Sequence, residues 1–153
     1  MQANIFNNQA CIGSPDWGES KYWIYKDLKV HYRLTGKESN PPIILIHGFG
    51  ASSDHWRNNA EIFASEGFRV FGLDLIGFGK SSQNLQNKIK HLDNQFWANQ
   101  LSSFLDEIVD IKKNGKVILI GNSLGALTAI TTASERPELI KTIIAAPLPE
   151  PVF

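Results

Sequence analysis

The chain has a single cysteine, Cys11, in 153 residues. An internal disulfide framework is therefore excluded, and a reducing compartment suits it. It has no excess of charge: fifteen basic side chains balance fifteen acidic ones, so no global field draws nucleic acid or an anionic membrane surface. No apolar run approaches the roughly 20 residues that cross a bilayer. Met1 to Ser20 lack both the basic start and the apolar stretch of a secretory signal. No histidine follows His91, and no His, Cys or carboxylate group has metal-ligand or paired-carboxylate spacing. Gly-x-Gly-x-x-Gly is also missing, because Gly48-Phe49-Gly50 is followed by Ser53 and Gly77-Phe78-Gly79 by Ser82. Gly79-Lys80-Ser81 resembles the end of a phosphate loop, but Asp74 occupies the position of its first glycine, which rejects nucleotide binding. The expectation is a cytoplasmic protein with no cofactor, no metal, no nucleic-acid partner and no membrane span.

What is present is periodic. Residues 1–20 read as a flexible leader. Two tightly joined strands follow, Tyr22–Asp27 and Leu28–Leu34. The second alternates, with Leu28, Val30, Tyr32 and Leu34 on one face and Lys29, His31 and Arg33 on a face expected to be solvated. Ile43–Ile46 is a continuous apolar run, as in a strand covered on both sides. A helix within about 54–66, a strand over 68–74, a long helix over about 91–113 and a strand over 116–120 come next. A helix to about Arg136 and a last strand, Ile140–Ala146, complete the series. An antiparallel hairpin followed by alternating strands and helices predicts an α/β fold, a mostly parallel sheet with helices on both faces. Its chemistry should lie at the carboxyl ends of the strands.

The most informative stretch is 116–129. An apolar strand runs into Gly121-Asn122-Ser123-Leu124-Gly125, then into a helix of small residues. This is the Gly-x-Ser-x-Gly nucleophile elbow in its required context. The tight turn exposes Ser123 as a nucleophile, and glycines two before and two after it remove side chains that would collide. The Leu124 N–H stands at a helix N-terminus. Upstream, Ile46-His47-Gly48-Phe49-Gly50 ends the first buried strand, where the Phe49 N–H can join that of Leu124 as a two-donor oxyanion hole. One such donor is worth about 2.7–4 kcal/mol of catalysis. Gly48, Gly50 and Asn122 flank these donors as candidate substrate contacts. Trp56 reads as packing, or at most as pocket wall. Of the histidines, His31 reads as solvated, His47 as a fixer of loop hydrogen bonds, and His55 and His91 as residues near helix starts. None is placed to serve as general base.

Taken in order, 47–50, 74–81 and 121–125 resemble the α/β-hydrolase superfamily over about residues 22–150. The segment His47–Arg57 and the Gly-Asn-Ser-Leu-Gly elbow look like the chlorophyll-dephytylase and pheophytinase-like hydrolases, although Ala126 stands where these often carry glycine. The resemblance implies Ser123 as nucleophile and Phe49 and Leu124 as oxyanion donors. A serine there argues against the epoxide-hydrolase and haloalkane-dehalogenase branches, which attack with a carboxylate. The family's cap, its last strands, its acid and its histidine come later than residue 153. Residues 21–153 are then expected to be the N-terminal portion of such a domain, a truncated esterase-like hydrolase without its base. Glu150 is the one carboxylate after the last strand; the resemblance makes it a candidate for an acid position used in some branches, and its ordinary reading is a surface-loop residue. The expected substrate of the completed enzyme is a small-molecule ester. The alternative is a non-enzymatic remnant or binding module, and strand 140–146 is an apolar edge expected to self-associate or pair with a complementing chain.

Overall fold

The computed structural model describes residues 16–85, 89 and 91–146. Cys11, Glu150 and the prolines after Ala146 lie outside them. Six strands form one sheet: β1 (Glu19–Tyr25), β2 (Leu28–Thr35), β3 (Pro42–Ile46), β4 (Arg69–Leu73), β5 (Val117–Asn122) and β6 (Ile140–Ala146). Their spatial order is β1-β2-β4-β3-β5-β6. β1 pairs antiparallel with β2, and β2 antiparallel with β4; β4, β3, β5 and β6 run parallel. The expected hairpin followed by a parallel sheet is therefore what forms. β3 inserts between β4 and β5, so the ends of β3 and β5 lie side by side. Proline 42 is tolerated as the first residue of β3.

All of β3 is buried, and its alternation divides the core. Ile44 and Ile46 face a layer with Phe71, Leu73, Leu119, Trp97, Leu101 and Phe104, built with α2 (Asn94–Phe104) and α4 (Leu124–Glu135). Ile43 and Leu45 face Val70, Ile120, Trp17, Trp56 and Ala60, under α1 (Ala60–Ser65). Of the leader expected over 1–20, Trp17 is thus core, its indole N–H donating to the Ser53 carbonyl at 3.0 Å, and Glu19–Ser20 open β1.

Two helices are shorter than their periodicity predicts. Between 53 and 59 the chain makes a tight 3-10 turn, Ser53–Trp56, capped by the Ser52 hydroxyl, before α1 starts. The Asp74 carboxylate takes the Ser53 N–H at 2.6 Å, so a tertiary bond replaces the first helical turn. The long helix begins when the Asp93 side chain accepts the Phe96 N–H. It widens over Leu105–Val109 and breaks at Asp110, which has φ 52°, before a single turn, α3 (Ile111–Asn114). The Asn114 amide closes that break by donating to the Val109 carbonyl.

The second face of β2 corrects the sequence expectation. His31 and Arg33 are buried, not solvated. β2 lies inside the sheet, and the segments 16–17, 53–54 and 74–82 fold over its outer face. His31 Nδ1 pairs with Asp74 Oδ2 at 2.8 Å and its Nε2 with the Ser20 hydroxyl at 2.8 Å. Arg33 donates to Asp16, Asp54 and the Trp17 carbonyl. Charge on a strand therefore marks a polar layer here, not solvent. Arg33→Leu should cost about 1–3 kcal/mol by urea unfolding, because the Trp17 carbonyl loses its donor while both carboxylates can regain water. An unchanged midpoint would contradict the buried assignment.

Candidate active site

The ends of β3 and β5 supply the site. Ser123 joins β5 to α4 with φ 51° and ψ −114°, a conformation that side-chain residues rarely adopt and that costs about 1–3 kcal/mol. Two glycines make it attainable. A Cβ at Gly121 would strike the Gly125 peptide and the Ala126 nitrogen, and one at Gly125 would strike the carbonyls of Ile46 and His47. The first turn of α4 therefore lies directly on the end of β3. That contact, not the turn alone, explains the +2 glycine. Gly48 belongs to the same cluster: a Cβ there would sit 2.9 Å from Asn122 Oδ1 and 3.4 Å from the Ser123 Cβ.

Hydrogen bonds set the donors. The Ser123 N–H donates to the Ala146 carbonyl at 3.2 Å, and the Asn122 amide donates to the same oxygen at 3.0 Å. Both anchor the elbow to the end of β6. Leu124 opens α4, so its N–H is among those a helix leaves without an intrahelical partner. The Phe49 N–H has no backbone acceptor among the described residues. Gly50, at φ 69°, turns the chain away after Phe49. Phe49 itself is 78% exposed, its ring against Phe78 at 5.2 Å.

His47 is a structural latch, as its place in the turn suggests. Its Nε2 accepts the Leu75 N–H at 3.0 Å and its Nδ1 donates to the Gly48 carbonyl at 2.7 Å. Both nitrogens are committed and the ring must be neutral. Burial pushes its pKa down, outweighing the Gly48 bond and the Asp74 charge, which act the other way. His55 is exposed beside the Trp56 ring, and His91 is exposed before α2. Among the described residues no imidazole hydrogen-bonds the Ser123 hydroxyl. Trp56 packs under α1 with Ile43, Leu45 and Ile120. Glu150 falls outside the described residues.

Two residues escaped sequence reasoning. Gln100, fully buried, accepts the Ile76 N–H at 3.1 Å and donates to the Asp74 carbonyl, while the Trp97 indole donates to the Ile76 carbonyl. α2 thereby grips the Ile76 peptide from both sides and seats Phe78 against His47 and Phe49. A glutamine on the helical stripe of Trp97, Leu101 and Phe104 was the available signal. Asp74 is the other. Its carboxylate takes N–H groups from Ser53 and Lys80 as well as the His31 ring. Burial would raise its pKa, but the bonds from His31, Lys80 and Ser53 prevail and hold it low. Gly79, at φ 55°, has no room for a Cβ beside that carboxylate.

The family model for the alpha/beta hydrolase fold matches residues 41–149. The chain belongs to this family. Similar proteins include epoxide hydrolase 4 of Mus musculus, 33% identical over 147 residues, covering 95% of this chain and 39% of that one. A 2-hydroxy-6-oxononadienedioate/2-hydroxy-6-oxononatrienedioate hydrolase of Burkholderia vietnamiensis is 32% identical over 121 residues, covering 77% of this chain and 39% of the relative. Among solved structures, a thioesterase domain from the curacin biosynthetic pathway superposes with a TM-score of 0.79 at 27% identity, covering 88% of this chain and 48% of that one. This α/β-hydrolase chain thus spans less than half the length of these relatives. No helix among its described residues is long and apolar enough to cross a membrane.

Two outcomes test this geometry. Gly125→Ala, which meets backbone, should destabilise the chain by about 1–3 kcal/mol. Gly115→Ala faces open space, but its φ 80° and ψ −174° lie in a region nearly reserved for glycine, so it should also cost about 1–3 kcal/mol. An unchanged urea midpoint for Gly125→Ala would contradict the close approach of α4 to β3. The second outcome concerns pH. Both His47 and Asp74 have native pKa values below their ordinary ones. As pH falls below about 6.5 the unfolded chain takes up a proton that native His47 refuses, and below about 4 Asp74 adds to the loss. Stability should fall steadily on acidification from pH 7; a midpoint that rises toward pH 5 would refute this.

Proposed function

We propose that the chain is the nucleophile-bearing portion of a hydrolase that acts on carboxylic esters by acyl transfer through Ser123. The observation that carries this reading is the strained Ser123 turn, closed on β3 through Gly121 and Gly125, with Gly48 packed against it and the Leu124 N–H at the start of α4. In the mechanism, Ser123 Oγ adds to the ester carbonyl, and the oxygen that becomes negative lies between the Phe49 and Leu124 N–H groups. Gly48, Gly50 and Asn122 shape that cradle, and Phe49, with Phe78 behind it, offers an apolar wall for the acyl or alcohol part.

Serine chemistry separates this reading from epoxide opening, although epoxide hydrolase 4 is among the similar proteins. A carboxylate that opens an epoxide becomes an ester, which water can cleave at its carbonyl. A serine that opened one would become an ether, which has no carbonyl and would not turn over. Ser123 therefore favours substrates that already contain the carbonyl. A chlorophyll-like ester rests on the likeness of 47–57 and 121–125 alone.

The base is the missing part. With no imidazole on its hydroxyl, Ser123 remains a neutral alcohol, and loss of one triad member costs several orders of magnitude in kcat. The 153-residue chain should leave Ser123 unmodified by a fluorophosphonate probe, read by mass spectrometry of the Ser123 peptide. Stoichiometric labelling there, abolished by Ser123→Ala, would require a base within this chain.

One observation favours a second reading, a binding module or a piece that is completed by another chain. Among the described residues β6 is the sheet edge, its residues are half-buried or exposed, and Ile144 is 50% exposed. Unpaired apolar edges recruit further strands. Sedimentation at rising concentration should show self-association that weakens in Ile144→Lys; a clean monomer throughout counts against it.

A further inference from the structure

A second serine carries what Ser123 lacks. The Ser20 hydroxyl is 2.8 Å from His31 Nε2, and His31 Nδ1 is 2.8 Å from Asp74 Oδ2. Ser20 is exposed on β1, whereas His31 and Asp74 are buried. We propose that Ser20, His31 and Asp74 form a second nucleophilic site, in which Ser20 is acylated by small activated esters.

The roles follow from the hydrogen bonds. The Asp74 carboxylate is fixed by the N–H groups of Ser53 and Lys80, so it can only accept from the His31 ring. That places the ring proton on Nδ1 and leaves the Nε2 lone pair toward Ser20. The His31 backbone is fixed too: its N–H donates to the Ser81 hydroxyl, which donates in turn to the Asp74 carbonyl, and its carbonyl accepts the Asp74 N–H. The imidazole therefore has one orientation, with the Tyr22 ring packed at 5.2 Å. Nucleophile, base and orienting carboxylate stand in the order that activates a serine.

Acylation balances without a cofactor. Ser20 Oγ bonds to the acyl carbon as its proton passes to His31 Nε2. The leaving alcohol departs with the electron pair of the broken bond and takes that proton. Water then cleaves the acyl-serine by the same proton route. The Lys29 ammonium lies 3.7 Å from the centre of the Tyr22 ring, on the same face of the hairpin as Ser20.

The second site lies away from the elbow. β1 and β5 are separated by β2, β4 and β3, four strand spacings or roughly 19 Å. Ser65 and Ser134 serve as internal references, since both are exposed and donate to helix carbonyls with no base attached.

The test is to treat the full chain with p-nitrophenyl acetate and, separately, a fluorophosphonate, then map modified serines by mass spectrometry. Ser20 should label at least about 100-fold faster than Ser65 and Ser134, the scale of general-base assistance. Label should vanish in Ser20→Ala, a surface change, and persist in Ser123→Ala. A Ser20 rate equal to that of Ser65 overturns the proposal. An unlabelled chain overturns it too and leaves the Ser123 reading standing. Label confined to Ser123 overturns it as well, and shows that the elbow serine has a base within this chain.

Discussion

The loops at the carboxyl ends of the strands converge on one buried carboxylate. Asp74 follows β4 and receives the Ser53 N–H from the segment after β3, the Lys80 N–H from its own loop, and the His31 ring from β2. Its backbone carbonyl accepts the Ser81 hydroxyl and the Gln100 amide. A carboxylate taken from water must have its lone pairs filled, so these segments cannot separate without exposing an unpaired charge. The same loop carries Leu75, whose N–H locks His47, and Phe78, whose ring backs Phe49. The Phe49 side of the candidate site thus depends on an electrostatic tie made outside it.

The nucleophile side depends on contact rather than charge. Gly121 and Gly125 let the first turn of α4 rest on the end of β3, and small residues keep that helix close. Ala126 and Ala129 are fully buried, and Thr128 and Thr132 return their hydroxyls to the Leu124 and Thr128 carbonyls. Thr128 also reaches Asn94 Oδ1 on α2. The two halves of the site therefore meet through β3: His47 and Phe49 on its exit, Ser123 pressed beside it.

Features encoded locally were readable in the chain. The unbroken run Ile43–Ile46 announced a strand covered on both faces, and the glycine spacing around Ser123 announced the elbow. Features set by long-range pairing were not. Strand alternation distinguishes two faces but not water from a polar layer, so His31 and Arg33 were misplaced until β2 was seen between β1 and β4. Helical periodicity over 91–113 was real, yet it could not reveal that Asp110 would turn left-handed. Strand order was also hidden, because β3 lies beside β5 across seventy residues of intervening chain. The pairing of Ser20 with His31 arises from register across the hairpin, and its link to Asp74 from the loop folded over it.

The central claim is that the described residues build the strained Ser123 turn and leave the Phe49 and Leu124 N–H groups without a backbone acceptor, with no imidazole bonded to the Ser123 hydroxyl. Residue-resolved amide hydrogen exchange tests it most directly. The account predicts slow exchange at Ser123, whose N–H is held by the Ala146 carbonyl, and fast exchange at Phe49 and Leu124, whose N–H groups have no backbone acceptor among the described residues. Protection at Phe49 and Leu124, or rapid exchange at Ser123, would contradict it.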